Sequence, residues 1–243
     1  MLGGTLVQYT TTLSQTQNVS MYASSETIGN TGQGFAVYNQ SAGTNTIPIN
    51  FILGSSAGST GTFTNNGVYN SDPATNYFAT LSVGPTGSLL GGQGDQFVLS
   101  GDFLNSSRQD ALWNTANAQI ELTGGRLHAF EVDGADRGAS GLGYQNNFSW
   151  GTLTLDAGDQ LDLAGSGALY VRILDLAGGV GQIGLIEGNG LNIYYDPAQP
   201  LNAYLNGMTY SLSGGGSLVP VPDPGGIAIL SLVPWLTRRI RRA

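Results

Sequence analysis

One short phrase is written three times between Thr27 and Gly92, and it limits the possible folds more than any other feature of the chain. The first copy reads Thr27-Ile28-Gly29, then Gly34-Phe35-Ala36-Val37-Tyr38, then Gln40-Ser41-Ala42-Gly43. The second reads Phe51-Ile52-Leu53-Gly54, Gly61-Thr62-Phe63, Asn65-Asn66-Gly67. The third is looser: Leu81-Ser82-Val83-Gly84, Gly87-Ser88-Leu89-Leu90, Gly91-Gly92. Each copy is a short apolar run, a glycine turn, a second short run and a polar corner. The period, about 25–30 residues, suits a stacked solenoid in which neighbouring copies bury each other's apolar faces. The reading adopted is all-β: a right-handed parallel β-helix (solenoid) followed by a C-terminal anchor segment. Short strands with glycine turns also build an antiparallel β-sandwich, which stands as the alternative.

Composition points to strands rather than helices. The chain of 243 residues carries 38 glycines and only 10% charged residues, while 40% hydrophobic residues supply a core. Cysteine is absent, so no disulfide staples the fold and no thiolate chemistry is available.

Charge is distributed unevenly. There is no lysine, and Arg238, Arg239, Arg241 and Arg242 crowd the last residues. The body before that cluster is strongly acidic, which excludes nucleic acid as a partner through its overall field. Before Asp95 only Glu26 and Asp72 are charged, so the repeat region interacts through hydroxyls and amides.

Two domains are drawn: 1–218, β-helix-like, with residues 1–25 as a capping turn of the stack, and 219–243, a tail. Pro48 cannot donate to a ladder and marks a corner. Between Asp110 and Leu122 a short helix competes with a strand; the alternation Ala118-Gln119-Ile120-Glu121-Leu122 favours the strand. From Gly151 onward, runs of alternating Leu, Ile, Val and Tyr are closed by Gly, Asn, Asp or Pro turns. Gly214-Gly215-Gly216 reads as a flexible break before the tail.

The tail runs in a fixed order. Pro222-Asp223-Pro224 and Gly225-Gly226 precede an apolar segment containing Ile227, Ala228, Ile229, Leu230, Leu232, Val233, Trp235 and Leu236; the arginine cluster closes the chain. That order fits a membrane anchor whose arginines stay on the cytoplasmic side. It resembles the C-terminal sorting signal of PEP-CTERM proteins, in which a Pro-Glu-Pro motif, an apolar helix and an arginine-rich end are recognised and removed by an exosortase. Here Asp223 replaces the glutamate, the apolar run is shorter than the roughly 20 residues that span a bilayer, and Pro234 interrupts it.

The body resembles autotransporter-like β-helix proteins bearing that signal. The resemblance rests on Gln40–Ile47, Leu53–Phe63 and the block Gly188-Asn189-Gly190-Leu191-Asn192-Ile193-Tyr194-Tyr195-Asp196-Pro197. It implies an exported protein of the cell surface or extracellular matrix, processed by an exosortase-type enzyme and membrane-anchored through its tail beforehand. Extracellular polysaccharide is the partner class it suggests, with no catalytic residues to carry over. The first residues, Met1 to Val7, have neither the basic region nor the apolar run of a secretory signal. Export therefore implies residues ahead of Met1.

The chemistry available within the body is sparse. Asp133 and Asp136 could form the carboxylate pair of a glycan-cleaving enzyme, but Asp-Gly and Asp-Arg also occur in ordinary turns. Arg108, Arg126, Arg137 and Arg172 are the arginines a polysaccharide lyase could use. Asp156, Asp159 and Asp162 hint at calcium, yet alternation with Leu161 and Leu163 places them on a solvent face. His128, the sole histidine, reads as a surface strand residue; Tyr144, Asn146 and Asn147 read as exposed groups that could stack on sugars or equally serve as loop packing. No metal, cofactor or catalytic residue is assigned. The function expected is that of a non-enzymatic rigid scaffold or adhesin; a polysaccharide lyase or glycosidase, or a carbohydrate-binding sandwich, is the alternative.

Overall fold

The computed structural model describes residues 75–85 and 87–222, together with the backbone of seven earlier stretches: 5–8, 12–15, 20–22, 25–28, 34–40, 44–53 and 65–71. Strands dominate, and helix among the described residues is limited to the 3₁₀ turns Gly141–Tyr144, Gly179–Leu185 and Pro200–Leu205. The chain is all-β.

The strands pair in three series. In the first, the leading halves of Thr44–Leu53 and Thr75–Val83 are followed by Gln96–Leu99, Thr115–Leu122, Trp150–Leu155 and Ala168–Leu176, each parallel to the next. The trailing halves of the same two long strands begin the second series, which continues through Phe103–Asn105, Leu127–Val132, Gln160–Gly165 and Ile186–Glu187. The third joins Thr12–Gln15, Gly34–Gln40, Asn65–Ser71 and Gly87–Gly91, with Leu90 bridging onward to Asn114. Every strand pairing described is parallel except that of Tyr210–Ser211 with Ser217–Pro220.

The repeats meet in register. Ile28 pairs with Leu53, Leu53 with Val83, and Val83 with Asn105. Pro48 sits where the register of Thr44–Leu53 shifts, between Ile47 and Asn50, as a residue without an N–H requires. One alignment needs correcting. Gly34–Gln40 pairs with Asn65–Ser71, so Val37 meets Val68, Tyr38 meets Tyr69 and Asn39 meets Asn70. The sequence reading had matched Gly34–Tyr38 to Gly61-Thr62-Phe63, which lies outside the described residues. The register thus aligns Val-Tyr-Asn with Val-Tyr-Asn rather than glycine with glycine.

The same inward position is refilled layer after layer. Phe78, Leu99, Leu122, Leu155 and Leu176 form one buried row of the first series. Leu81, Phe103, Phe130 and Leu163 form the matching row of the second. Phe103 is the aromatic centre, 4.7 Å from Phe130 and 5.7 Å from Trp150 between ring centroids. Each such side chain contributes about 1.5–3 kcal/mol by leaving water.

Two polar residues expected on the surface lie inside. His128 and Asp159 are both fully buried. Leu127–Val132 is framed with His128, Phe130 and Val132 inward and Leu127 half exposed, so His128 continues the row of Leu161 and Ile186. Its Nδ1 faces the Gly101 carbonyl and its Nε2 lies 3.3 Å from Asp159 Oδ1. That carboxylate also accepts the Arg126 N–H at 2.6 Å, a backbone donor that alternation alone does not reveal. Asp162, by contrast, does face outward, where Oδ1 accepts from Asn189 at 2.7 Å.

The segment 200–213 bonds to the final strands of the first two series and to the strand Ser217–Pro220. Asn202, 1% exposed, bonds to the outer edge of Ala168–Leu176. Ser213 exchanges backbone bonds with Ile186 and Gly188, and Tyr210–Ser211 pairs with Ser217–Pro220. Gly214-Gly215-Gly216 is therefore not a break. All three adopt positive φ in the turn between the last two strands, and a Cβ at Gly216 would collide with the Leu191 carbonyl. The ladder continues past residue 218, Val219 and Pro220 pairing with Tyr194 and Tyr195.

Candidate binding site

Two long connections leave strands of the second series: 106–114, which reaches Asn114 beside Leu90 of the third, and 133–149, which leads into Trp150, the partner of Thr115. The next connection between the corresponding strands is only Ser166-Gly167, so these two are much the longer. They are tied together. Trp113 Nε1 donates to Thr115 Oγ1 at 2.8 Å, which donates to the Ser149 carbonyl at 2.6 Å; the Trp113 and Phe148 rings meet edge to face at 5.1 Å.

Between them lie two recesses that share Asn147 and Phe148 as a wall. One, of about 470 Å³, is lined by Ser107, Arg108, Asp110, Asp133 and Arg137 among others. The other, of about 400 Å³, is lined by Trp113, Asn114, Gln145 and Asn146 among others.

The wall is held by specific bonds. Arg137 Nη1 donates to the carbonyls of Leu142 and Gln145 at 2.9 and 2.8 Å, and Nη2 to that of Asn146 at 3.2 Å. Asn147, 4% exposed, donates to the Ala135 and Gly143 carbonyls. Gly143 lies against the Tyr170 ring, where any Cβ would overlap it. The price in backbone strain is visible: Asn146 has φ 44° and Phe148 φ 55°. Asparagine tolerates the left-handed region, but phenylalanine is an outlier there, at a cost of about 1–3 kcal/mol.

The acidic residues of 131–136 divide between two environments. Asp133 faces the first recess; burial, and then the Glu131 carboxylate, raise its pKa above the ordinary value, against the opposing pull of Arg108. For Asp136 burial acts upward too, but hydrogen bonds from the Gly138 N–H, Tyr194 hydroxyl and Asn192 amide together hold its pKa down. Asp136 thus anchors an outer tyrosine stack, in which Tyr170 and Tyr194 lie 4.6 Å apart. The two aspartates do not serve one site; it is Asp110 that lines the recess with Asp133.

The other residues singled out from sequence separate as well. Arg108 and Arg137 share the first recess, whereas Arg126 lies 3.4 Å from Asp102 and Arg172 stands over the Tyr144 ring at 5.0 Å. Tyr144 and Asn147 are buried rather than exposed, and Asn146 is exposed. Among the described residues no three His, Cys, Asp or Glu side chains gather as a metal site. Trp113 and Phe148 were missed as site residues, since nothing local in sequence marks a left-handed phenylalanine.

In the tail, Pro222 is exposed at the end of the described chain, just after Val221 donates to the Tyr195 carbonyl at 2.8 Å. Asp223, Pro224, the apolar run 227–236 and the arginine cluster lie outside the described residues. Among the described residues no helix is long and apolar enough to cross a membrane.

Comparison of the chain with protein-family models, curated proteins and solved structures finds no match.

Proposed function

We propose that this chain is an exported, non-enzymatic protein of the cell surface or extracellular matrix. Its body would be a right-handed parallel β-helix that serves as a rigid scaffold or adhesin, and its C-terminal tail the exosortase-type sorting signal. The observation that carries the scaffold reading is the in-register parallel pairing of Ile28, Leu53, Val83 and Asn105. Parallel neighbours cannot be joined by tight hairpins. Here the connection between neighbours in one series passes through the other two, as a coil of a β-helix does. Repeated burial of like residues stiffens such a stack without disulfides.

The export reading rests on the order of the tail: Pro222-Asp223-Pro224, apolar residues, then arginines. Fusing residues 219–243 to an exported reporter in a bacterium that carries an exosortase tests it. The expected result is removal of the arginine end and release of the reporter, lost when Pro222 and Pro224 are both replaced by alanine. An uncleaved reporter, or cleavage indifferent to the two prolines, would overturn the sorting assignment.

A further inference from the structure

We infer that the paired recesses astride Phe148 form one binding site for a short saccharide, an assignment that goes beyond the scaffold reading and does not rest on it. The site is shaped in advance. Arg137 gives its guanidinium to the Leu142, Gln145 and Asn146 carbonyls, and the buried Asn147 amide to those of Ala135 and Gly143 holds the loop from its other side. A loop fixed in this way loses little freedom when a ligand arrives.

The ridge between the recesses is an aromatic ring at a strained position. Phe148 lines both recesses with φ 55°, a backbone that glycine would adopt without strain. Backbone strain of this kind concentrates at ligand clamps. Arg108, Asp110 and Asp133 stand on one side of the ring, and Asn114, Gln145 and Asn146 on the other.

That set selects a class of ligand. Sugar hydroxyls donate and accept, and amides, a guanidinium and carboxylates answer both roles; sugar C–H faces cover an aromatic ring. A polyanion is disfavoured, because Arg108 is opposed by Asp110 and Asp133 while Arg137 is engaged with carbonyls. The ligand is a saccharide with little or no negative charge.

The test uses the full chain on an array of neutral oligosaccharides (β-glucan, xylan, mannan and chitin fragments) with acidic fragments alongside. Wild-type protein is expected to be retained by at least one neutral set. Arg108→Ala should weaken that binding about tenfold or more, and Phe148→Gly, which keeps the backbone conformation and removes the ring, should do the same. Arg108 is exposed, and its backbone N–H donates to the Pro85 carbonyl at 3.1 Å, a bond the substitution keeps. Absence of retention on every neutral set, or undiminished binding by Arg108→Ala, would overturn the inference. Cleavage of the retained sugar would support the site while contradicting the non-enzymatic reading, so the two fail separately.

Discussion

Asn202 Oδ1 accepts the backbone N–H of Leu174 at 3.0 Å, the bond that one more parallel strand would otherwise make. The same amide donates at 2.7 Å to the carbonyls of Arg172 and Asp196, and Tyr204 donates to the Leu174 carbonyl at 2.8 Å. A side-chain amide has the donor and acceptor of a peptide group, so Asn202 completes the otherwise unpaired edge of Ala168–Leu176 at Leu174 without extending it. Edges left open invite further strand addition.

Asn202→Leu keeps the volume and removes all three bonds, leaving the buried Leu174 N–H unpaired, while the Arg172 and Asp196 carbonyls still accept from the Asp196 and Gln199 N–H groups. The expected loss is about 1–3 kcal/mol, the cost of that one unsatisfied group. Urea unfolding monitored by circular dichroism measures it, and a midpoint equal to wild type would contradict the capping role.

Phe103 sits in the row Leu81, Phe103, Phe130, Leu163 and touches the Phe130, Trp113 and Trp150 rings. Phe103→Ala should cost about 3–5 kcal/mol. Phe103→Leu should cost less, because leucine already fills the same row at either end. Equal destabilisation by the two, in denaturant titrations, would count against a common repeating position.

Asp133 and Asp136 should respond to pH with opposite sign. Unfolded, both titrate near 3.8. The folded pKa of Asp133 is raised, so its ionisation weakens the fold as pH rises from the unfolded value through the folded one. Asp133→Asn should therefore raise Tm at pH 7 and leave it unchanged well below 3.8. Asp136 has a depressed folded pKa, so its contribution is present above the unfolded value and is lost as pH falls through the folded one. Asp136→Asn should lower Tm at pH 7, with the difference vanishing in strong acid; both effects are modest, since each group keeps contact with water. Thermal melts across pH 2–8 would read both signs.

Much of the strand pattern was legible from the sequence, because alternation and repeat spacing are local properties. Ile28, Leu53 and Val83 could be aligned by eye, and Ala118–Leu122 could be chosen as strand over helix. Residues whose placement depends on distant partners could not. His128 looked outward until the Asp159 carboxylate and Gly101 carbonyl were brought to it from neighbouring layers. Likewise Gly214-Gly215-Gly216 looked like a hinge, although the crowding by Glu187 and Leu191 explains why glycine is needed in that turn. Of the binding site, Asn146 and Arg108 were noticed for their chemistry. The Trp113–Phe148 contact that joins the two loops has no signature in sequence.

The in-register parallel stack is tested most directly by paired cysteines, for which the cysteine-free chain is a clean background. Gln96 is opposite Gln119 and Val98 opposite Glu121, all on the outward side. Under oxidation, the double substitutions Gln96→Cys with Gln119→Cys and Val98→Cys with Glu121→Cys should each form an intramolecular disulfide, since paired positions lie within bridging distance. Linkage of Val98→Cys to Asn117→Cys in place of Glu121→Cys would mean that the strands run antiparallel, and the stacked scaffold would be contradicted.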